Sequence, residues 1–218
     1  MSKSLISILG VLALVAVLPG CRVIKNHPGG AAANAAAGNG APTAESRAEG
    51  MWDSRIVPYA QKKAAPYPEL AGLLASSPDQ AVREHGFRAD TAGAKAVLFT
   101  RIEGTIVAAD TKSRAGTIEV DTDGDGKSDV TVQIGPIVRG NALRDSLDFV
   151  SFNSFANQID YADFSKALNT HVRNAVLKGV PRDGLVGKHV SLLGAFFLVP
   201  GSVPVITPIT CVVGDKAK

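Results

Sequence analysis

The order of apolar patterns after Lys95 constrains the fold of this chain more than any other feature. Three stretches rich in β-branched residues come first, then one long helical pattern, then two more apolar stretches joined by a short Pro-Gly-Ser turn. β-Branched residues in partial alternation favour strands. Three meandering strands, a helix and a hairpin form the order of an OB-like five-stranded Greek-key barrel. The prediction is therefore a mainly β, α+β fold of this type, with a plain α+β sheet sandwich as the alternative.

The predicted strands and helix each have an apolar face. Ile118 and Val120 share one face of the second strand, and Val130 and Val132 share one face of the third. Because side chains alternate across a strand, these residues are predicted to face the barrel interior. In "FANQIDYADFSKALNTHVRNAVLKG" apolar residues recur every three or four positions, which predicts a long helix between strands three and four.

Residues 45–94 are predicted to form an N-terminal helical hairpin added to the barrel. Prolines punctuate this segment, and proline is tolerated near the start of a helix but not in its interior. The best-signalled helix has Ser77 as its cap, a proline at its first position and Gly86 at its end. Trp52, the single tryptophan, is predicted to pack in the core, with a stacking platform for a sugar as the alternative.

The chain begins like a secretory precursor. Residues 1–20 contain one early lysine and then an apolar run that is shorter than the roughly twenty residues with which a helix crosses a bilayer. A signal peptide that is later removed is therefore predicted. It ends in "LPGC", which resembles the lipobox of bacterial lipoproteins, where the cysteine is acylated, so Cys21 is the predicted lipidation site and membrane anchor. The alternative is an ordinary signal peptide whose Cys21 later forms a disulfide.

Residues 21–44 are predicted to be a flexible tether, because they are rich in Ala, Gly and Asn and nearly free of large apolar side chains. The β domain is predicted to take residues 95–218. Lys and Arg exceed Asp and Glu by three in the whole chain, 23 against 20, and removal of the signal peptide takes Lys3 with it. This small excess, together with a periplasmic address, argues against nucleic-acid binding.

The stretch "DTDGDGKSD" is the candidate metal site. Asp121, Asp123, Asp125 and Gly126 follow the spacing of positions one, three, five and six of an EF-hand loop, and Asp129 falls at position nine. Position twelve lacks the bidentate glutamate, so any calcium affinity is expected in the weak range of roughly 10⁻⁴–10⁻³ M. The alternative interpretation is a β-hairpin turn formed by the Asp-Gly pairs. No other cofactor is predicted.

The segment between the third strand and the long helix is the predicted ligand or partner site. It contains Arg139, Arg144, Asp145, Asn157 and Gln158. Arginine presents a rigid donor fork to carboxylate or phosphate, and the amides both donate and accept, so the set suits a sugar, a sugar acid or a protein surface. The alternative is internal use, with an arginine paired to a neighbouring aspartate and an amide capping the helix.

Ligands of OB-folds usually meet the face of strands two and three and the loops that join strands one and two and strands four and five. Those loops are predicted at residues 110–115 and 199–204. Lys112 and Arg114 are the cationic residues of the first loop.

The stretches "GPIVRG", "ALRD", "FANQIDYADFSKALN" and "GKHVSLLGAF" resemble an uncharacterised family of predicted bacterial periplasmic lipoproteins. The similarity covers most of the chain after the tether. Members of that family are frequently encoded beside sugar-type ABC importers. The resemblance therefore implies a lipid-anchored protein that faces the periplasm and has an accessory role in carbohydrate uptake, and it implies no particular activity or ligand.

Motifs for catalysis are sparse. No histidine pair has metal-ligand spacing, and the sequence contains no GxSxG nucleophile elbow, CxxC pair or phosphate loop. His171 is interpreted as a surface residue of the long helix. The chain is thus predicted to be a non-enzymatic binding or accessory module. The alternatives are a structural or self-associating envelope protein and, with less support, a carbohydrate-active enzyme that uses carboxylates such as Asp145 and Asp160.

Overall fold

The computed structural model describes residues 42–215 of the chain. Its helices are α1 (Ala44–Met51), α2 (Val57–Lys63), α3 (Tyr67–Ser76), α4 (Pro78–His85), α5 (Ala142–Asp145) and α6 (Gln158–His171), with π-helical turns at Trp52–Ile56 and Val172–Val176. Its strands are β1 (Ala65–Pro66), β2 (Gly86–Phe87), β3 (Val97–Asp110), β4 (Thr117–Asp121), β5 (Val130–Gln133), β6 (His189–Phe197) and β7 (Val205–Gly214). The predicted signal peptide, Cys21 and the predicted tether up to residue 41 lie outside the described residues. In the described part of the chain, no helix combines the length and apolar character needed to cross a membrane.

Five of the strands close into a barrel. From β3 through β4, β5, β7 and β6, each strand pairs with the next, and β6 pairs with β3 again. The pairings are antiparallel except that between β5 and β7, which is parallel. This order, with α6 between β5 and β6, is that of an OB-fold and confirms the predicted fold class.

The barrel interior is built from the residues that strand alternation predicts to point inward. Ile118, Val120, Val130 and Val132 are all fully buried, and Val120 lies opposite Val130 in the β4–β5 ladder. Full burial of a Val or Ile side chain stabilises a fold by about 1.5–3 kcal/mol. A slip of one residue in either strand would turn its two buried side chains to the other face, so burial specifies the register of this hairpin.

Strand β3 belongs to both halves of the barrel. Its residues 97–105 pair with β6, whereas its residues 105–110 pair with β4. Gly104 lies close to this crossing, where a Cβ atom would collide with the carbonyl oxygen of Asp121. A β-bulge follows directly on the same strand. The glycine and the bulge together let β3 bend from one sheet into the other.

The N-terminal segment pairs with the first half of β3, along the edge where β3 has no pairing with β4. Strand β1 pairs in parallel with the first half of β3, and β2 pairs with it in antiparallel. Thr100 Oγ1 donates to the Ala65 carbonyl at 3.1 Å, and Arg101 Nη1 donates to the Ala64 carbonyl at 2.6 Å. Residues 45–94 thus contain two short strands besides the predicted helices, and they share one hydrophobic core with the barrel.

Helix α1 continues into α2 through the π-helical turn Trp52–Ile56, so the helical path is not broken at Pro58. In regular α-geometry a proline ring clashes with the carbonyl four residues earlier, and it has no N–H to donate. A π-helical turn directly ahead of the proline widens the backbone where that clash would occur. The local geometry therefore accommodates a residue that would otherwise end the helix.

Helix α4 has the predicted limits, since it begins at Pro78 and Gly86 follows its last residue. Ser77 occupies the cap position, but within the described residues its side chain makes no capping hydrogen bond. The proline, whose φ is already suited to a first helical position, accounts for the start of this helix.

Trp52 packs in the core, as predicted. It is 4% exposed, and its ring centroid lies 4.3 Å from that of His171. His171 is half-buried in this contact, so its interpretation as a surface residue was wrong. Burial lowers the pKa of His171, and the nearby carboxylates of Glu49 and Asp53 oppose that effect. A neutral imidazole therefore joins the N-terminal helices to the end of α6.

Gly104→Ala is predicted to destabilise the domain by about 2–3 kcal/mol, because the added methyl group overpacks the β3–β4 contact. Gly72→Ala in α3 is the control: no atom lies within 4 Å of a Cβ there. That change is expected to stabilise the protein by about 0.5–1 kcal/mol, as for other helical glycines. Urea unfolding of the mature protein measures both changes. Equal stability of Gly104→Ala and the wild type would contradict the role of this glycine.

The contact between Trp52 and His171 predicts a loss of stability on acidification. The lowered pKa keeps the imidazole neutral to a lower pH in the folded state than in the unfolded chain, where it gains a proton near its ordinary pKa of about 6.5. The contribution is therefore complete above that pH and is lost as the pH falls. Between about pH 7.5 and 5.5 the wild type is expected to lose about 1–2 °C more in Tm than His171→Gln, as followed by Trp52 fluorescence. An equal loss in both proteins would show that the ring is not held neutral.

Candidate ligand groove and acidic loop

A groove opens between α3, the start of α4 and the loop that joins β6 to β7. Its volume of about 700 Å³ lies within the range of small-ligand sites. The predicted loop of residues 199–204 forms one wall, which is where OB-folds commonly meet their ligands. Within residues 42–215, the other predicted loop, residues 110–115, contributes no lining residue.

The walls of the groove are mostly apolar. Leu74 comes from α3, Phe197 from the end of β6, and Val199, Val203 and Val205 from the loop and the start of β7. The three valines are 44%, 54% and 51% exposed. Single exposed valines are normal on a protein surface, but three around one groove form an apolar patch of the kind that marks binding sites.

The charged groups that line the groove are cations. Lys95 precedes β3 and Arg139 follows β5. Neither side chain takes part in an ion pair among the described residues. The described lining residues include no Asp, Glu or His. The groove can therefore attract an anion.

Gln133 fixes the backbone that carries Arg139. It is the last residue of β5 and is 8% exposed. Its Oε1 accepts the Arg139 N–H at 2.8 Å, and its Nε2 donates to the Arg139 carbonyl at 3.1 Å and to Thr207 Oγ1 at 2.9 Å. A buried amide left without partners costs about 1–3 kcal/mol, so this paired contact holds Arg139 at the groove. Sequence reasoning did not single out Gln133, because it shares a strand face with the polar residue Thr131.

Arg144 and Asp145 pair with each other at the end of α5. Nη2 and Nε of Arg144 lie 2.7 Å and 2.8 Å from Oδ1 of Asp145. The guanidinium also stacks on Tyr161, with its Cζ atom 3.8 Å from the ring centroid. Both charged side chains therefore bind partners within the domain. This agrees with the alternative interpretation, in which an arginine pairs with a neighbouring aspartate and does not bind a ligand.

Asn157 caps α6. Its Oδ1 accepts hydrogen bonds from two N–H groups of the first turn at 2.8 Å and 3.0 Å. Gln158 is exposed at the first position of the helix. Of the five residues predicted to bind a ligand or partner, Arg139 is therefore the one that lines the groove.

The acidic loop between β4 and β5 is organised around Asp121. Its Oδ1 accepts the N–H groups of Asp123 and Gly124 at 3.2 Å and 2.6 Å, and its Oδ2 accepts that of Gly126 at 2.8 Å. These backbone donors, led by Gly124, lower the pKa of Asp121. Asp121 is 6% exposed, so its carboxylate lies within the turn and holds it together.

Three carboxylates of this loop converge. One oxygen each of Asp121, Asp123 and Asp129 lies within 4.8 Å of the other two. Asp125 instead pairs with Lys127, whose Nζ lies 3.0 Å from its Oδ2, and this bond lowers the pKa of Asp125. The structure thus brings together three of the four residues predicted as metal ligands and turns the fourth toward a lysine.

The loop of residues 110–115 is held by Arg182, which sequence reasoning also missed. Nη2 of Arg182 donates to the Thr111 carbonyl at 3.0 Å, and Nη1 donates to the Ile134 carbonyl at 2.7 Å. Both cationic residues of the loop remain exposed. Arg182 therefore uses its donor fork to tie this loop to the barrel.

Comparison with solved structures agrees with the observed fold. The chain is similar to the crystal structure of an OB-fold protein from Thermotoga maritima, with 16% sequence identity and a TM-score of 0.63. The match covers 80% of this chain and 100% of that chain. At this identity the likeness concerns the fold alone. No curated protein matches the chain at a significant level.

A family model also matches, and it spans most of the chain. The family is described as predicted periplasmic lipoprotein (DUF2291), and its model matches residues 11–211. That range includes Cys21, the groove and the acidic loop. The description confirms the predicted location in the bacterial cell envelope, facing the periplasm. The chain therefore belongs to this family of predicted periplasmic lipoproteins.

Proposed function

We propose that this chain is a non-enzymatic binding module, anchored to a membrane through acylated Cys21 and acting beside an ABC-type sugar importer. Its binding element is the groove between α3 and the loop of residues 199–204. The observation that carries the proposal is the composition of that groove: apolar walls, two cations and, among the described lining residues, no carboxylate or imidazole. Such a surface can bind ligands without the carboxylate and imidazole groups that most hydrolases use for proton transfer.

The link to sugar uptake is supported by the resemblance of the chain to lipoproteins encoded beside sugar-type ABC importers. An acyl chain on Cys21 would hold the protein at a membrane surface. A module held there is suited to contact a membrane-embedded importer or its periplasmic components.

A self-associating envelope protein is the second candidate, and the exposed valines of the groove favour it. Val199, Val203 and Val205 form an apolar rim that a second copy of the chain could cover. The two candidates differ in the partner that meets this rim, so one experiment can separate them.

A carbohydrate-active enzyme has the least support. The carboxylate of Asp145 is taken up by Arg144, and that of Asp160 accepts a hydrogen bond from Asn157 Nδ2 at 3.2 Å. Among the described residues, neither aspartate lines the groove. The carboxylates that a glycosidase would need therefore lie away from the groove.

Photocrosslinking in cells from the groove rim tests the proposed function. A photoreactive residue in place of Val203 is expected to capture a component of an ABC importer, which mass spectrometry of the crosslinked band identifies. The same residue in place of Val212, toward the far end of β7, is expected to capture none. Val203 and Val212 are 54% and 69% exposed, so the control position is at least as accessible.

Crosslinks from Val203 to other copies of the chain, without importer components, would favour self-association and overturn the importer proposal. Equal capture of importer components from Val203 and Val212 would show that the groove does not direct the contact. Absence of importer components from both positions would also contradict the proposal.

We further propose that the acidic loop binds calcium weakly. The converging oxygens of Asp121, Asp123 and Asp129 repel one another, and a divalent cation among them would offset that repulsion. Backbone hydrogen bonds to Asp121 already hold the turn, so calcium would add to its stability without creating its shape. The missing glutamate at the twelfth position keeps the expected dissociation constant at roughly 10⁻⁴–10⁻³ M.

Addition of about 10 mM calcium to chelator-treated protein is expected to raise Tm by about 3–6 °C, since a ligand at about ten times its Kd stabilises the folded state by about 1.4 kcal/mol. Asp123→Asn is expected to abolish the rise, because it removes a converging carboxylate. Asp125→Asn makes the same chemical change on a side chain that pairs with Lys127, so it is expected to keep the rise. Absence of a rise in the wild type would leave the loop a hairpin turn without a metal.

A further inference from the structure

We infer that the groove binds a small organic anion with an apolar body, such as an amphiphilic carboxylate or phosphate. The inference rests on the proposed role of the chain as a binding module, and it is independent of the proposed importer. It assigns the charged head of the ligand to Lys95 and Arg139 and the body to the wall formed by α3 and the loop of residues 199–204.

The charge of the groove defines the head of the ligand. Lys95 and Arg139 are both cationic, and neither is neutralised by an ion pair within residues 42–215. Like charges along a cleft with low-dielectric walls raise the local concentration of the opposite charge. A carboxylate, sulfonate or phosphate can accept a two-pronged contact from the guanidinium and a point contact from the ammonium group. A neutral sugar would leave both cations without a counter-charge.

The walls define the body of the ligand. Leu74, Phe197 and the valines of the rim present carbon surface to the groove. A polyhydroxylated ligand would need amide and hydroxyl partners along that surface, but the Gln133 side chain is already bonded to Arg139 and Thr207. The groove therefore suits an aliphatic or aromatic body, and its ligand differs from the sugar that the proposed importer would carry.

Arg139 is pre-positioned to receive the anion. The Gln133 amide bonds both the N–H and the carbonyl of Arg139, whereas the Arg139 residue itself is exposed. Ordering a loop on binding lowers affinity, and a backbone that is already fixed avoids that cost. The geometry thus fixes the backbone of Arg139 at the groove before any ligand arrives.

The same anion chemistry is available from two sources. One is a free amphiphilic acid in the periplasm, and the other is the phosphate headgroup of a membrane lipid, which a lipid-anchored domain would meet at the bilayer surface. Both offer an anionic head on an apolar body, so the test must separate them.

Two fluorescent probes of similar shape test the charge requirement. Anilinonaphthalene sulfonate carries an anionic group, whereas N-phenylnaphthylamine is neutral. The mature chain with Cys21→Ser is expected to bind the anionic probe about tenfold more tightly than the neutral one. Lys95→Gln/Arg139→Gln in that chain is expected to remove the preference and to leave the affinity for the neutral probe unchanged. Equal binding of both probes by the parent chain would overturn the inference.

A second, smaller hollow provides the matched control. It has a volume of about 350 Å³, lies beside α6 and is lined by Lys166 and Arg173. Lys166→Gln/Arg173→Gln removes the same number of charges there and is expected to keep the preference for the anionic probe. Loss of the preference in this variant, with retention in Lys95→Gln/Arg139→Gln, would place the anion in the second hollow and refute the assignment to the groove.

A blocking variant tests the apolar part of the inference. Ala75 is exposed on α3 and lines the groove, so Ala75→Trp fills the space without disturbing the core. This substitution is expected to lower the affinity for both probes by about tenfold, because both probes contact the apolar wall. Unchanged binding of both probes would show that they lie elsewhere on the protein.

Displacement of the anionic probe identifies the source. Displacement by octanoate or octyl phosphate, with none by phosphatidylglycerol vesicles, would indicate a free amphiphilic anion, whereas displacement by the vesicles would indicate a lipid headgroup. Displacement by none of the three would contradict the inference. These measurements use the purified chain, whereas the crosslinks are made in cells, so the two results are independent. A negative probe result would not contradict the proposed importer contact. A negative crosslinking result would not contradict the preference for the anionic probe.

Discussion

Strand β3 pairs with β6 along one part of its length and with β4 along the other, and the groove depends on that double pairing. The double pairing of β3 closes the barrel, and closure brings the end of β5 and the end of β6 to the same side of the domain. Gln133 ends β5 and Phe197 ends β6, and both line the groove. A straight β3 could serve only one of the two sheets, so the bend at Gly104 is a condition for the site as well as for the fold.

The membrane anchor that we propose at Cys21 would give this groove a setting in which modest affinity is enough. Attaching a binding module to the membrane that carries its partners raises their effective concentration to about the millimolar range. A groove with two cations and an apolar wall does not need a network of side-chain hydrogen bonds to be occupied under those conditions. The few polar groups present can then be used to fix the backbone, as Gln133 does for Arg139.

Features that depend on residues close together in the sequence could be predicted from it. Features that depend on closure of the barrel could not. Alternation identified the inward faces of the strands, and local side-chain bonding explains the cap at Asn157. By contrast, Lys95, Gln133 and Arg139 line one groove with Thr207 only because distant strands close into one sheet. The acidic loop lies between these cases, since its spacing identified the three aspartates that converge but not the turn of Asp125 toward Lys127.

Tyr67 links the acidic loop to the groove. It is the first residue of α3 and lines the groove, and its hydroxyl donates to the Asp129 carbonyl at 3.4 Å. Burial, with the nearby Asp129 carboxylate, raises the pKa of Tyr67, so the phenol remains a donor at neutral pH. The Asp129 carboxylate meanwhile accepts the N–H and the hydroxyl of Thr122 at 2.7 Å and 2.6 Å. Asp129 therefore touches the groove wall through its backbone and the acidic cluster through its side chain. A cation that tightened the loop would act on the groove through the position of α3, because the contact between them is a backbone carbonyl and carries no net charge.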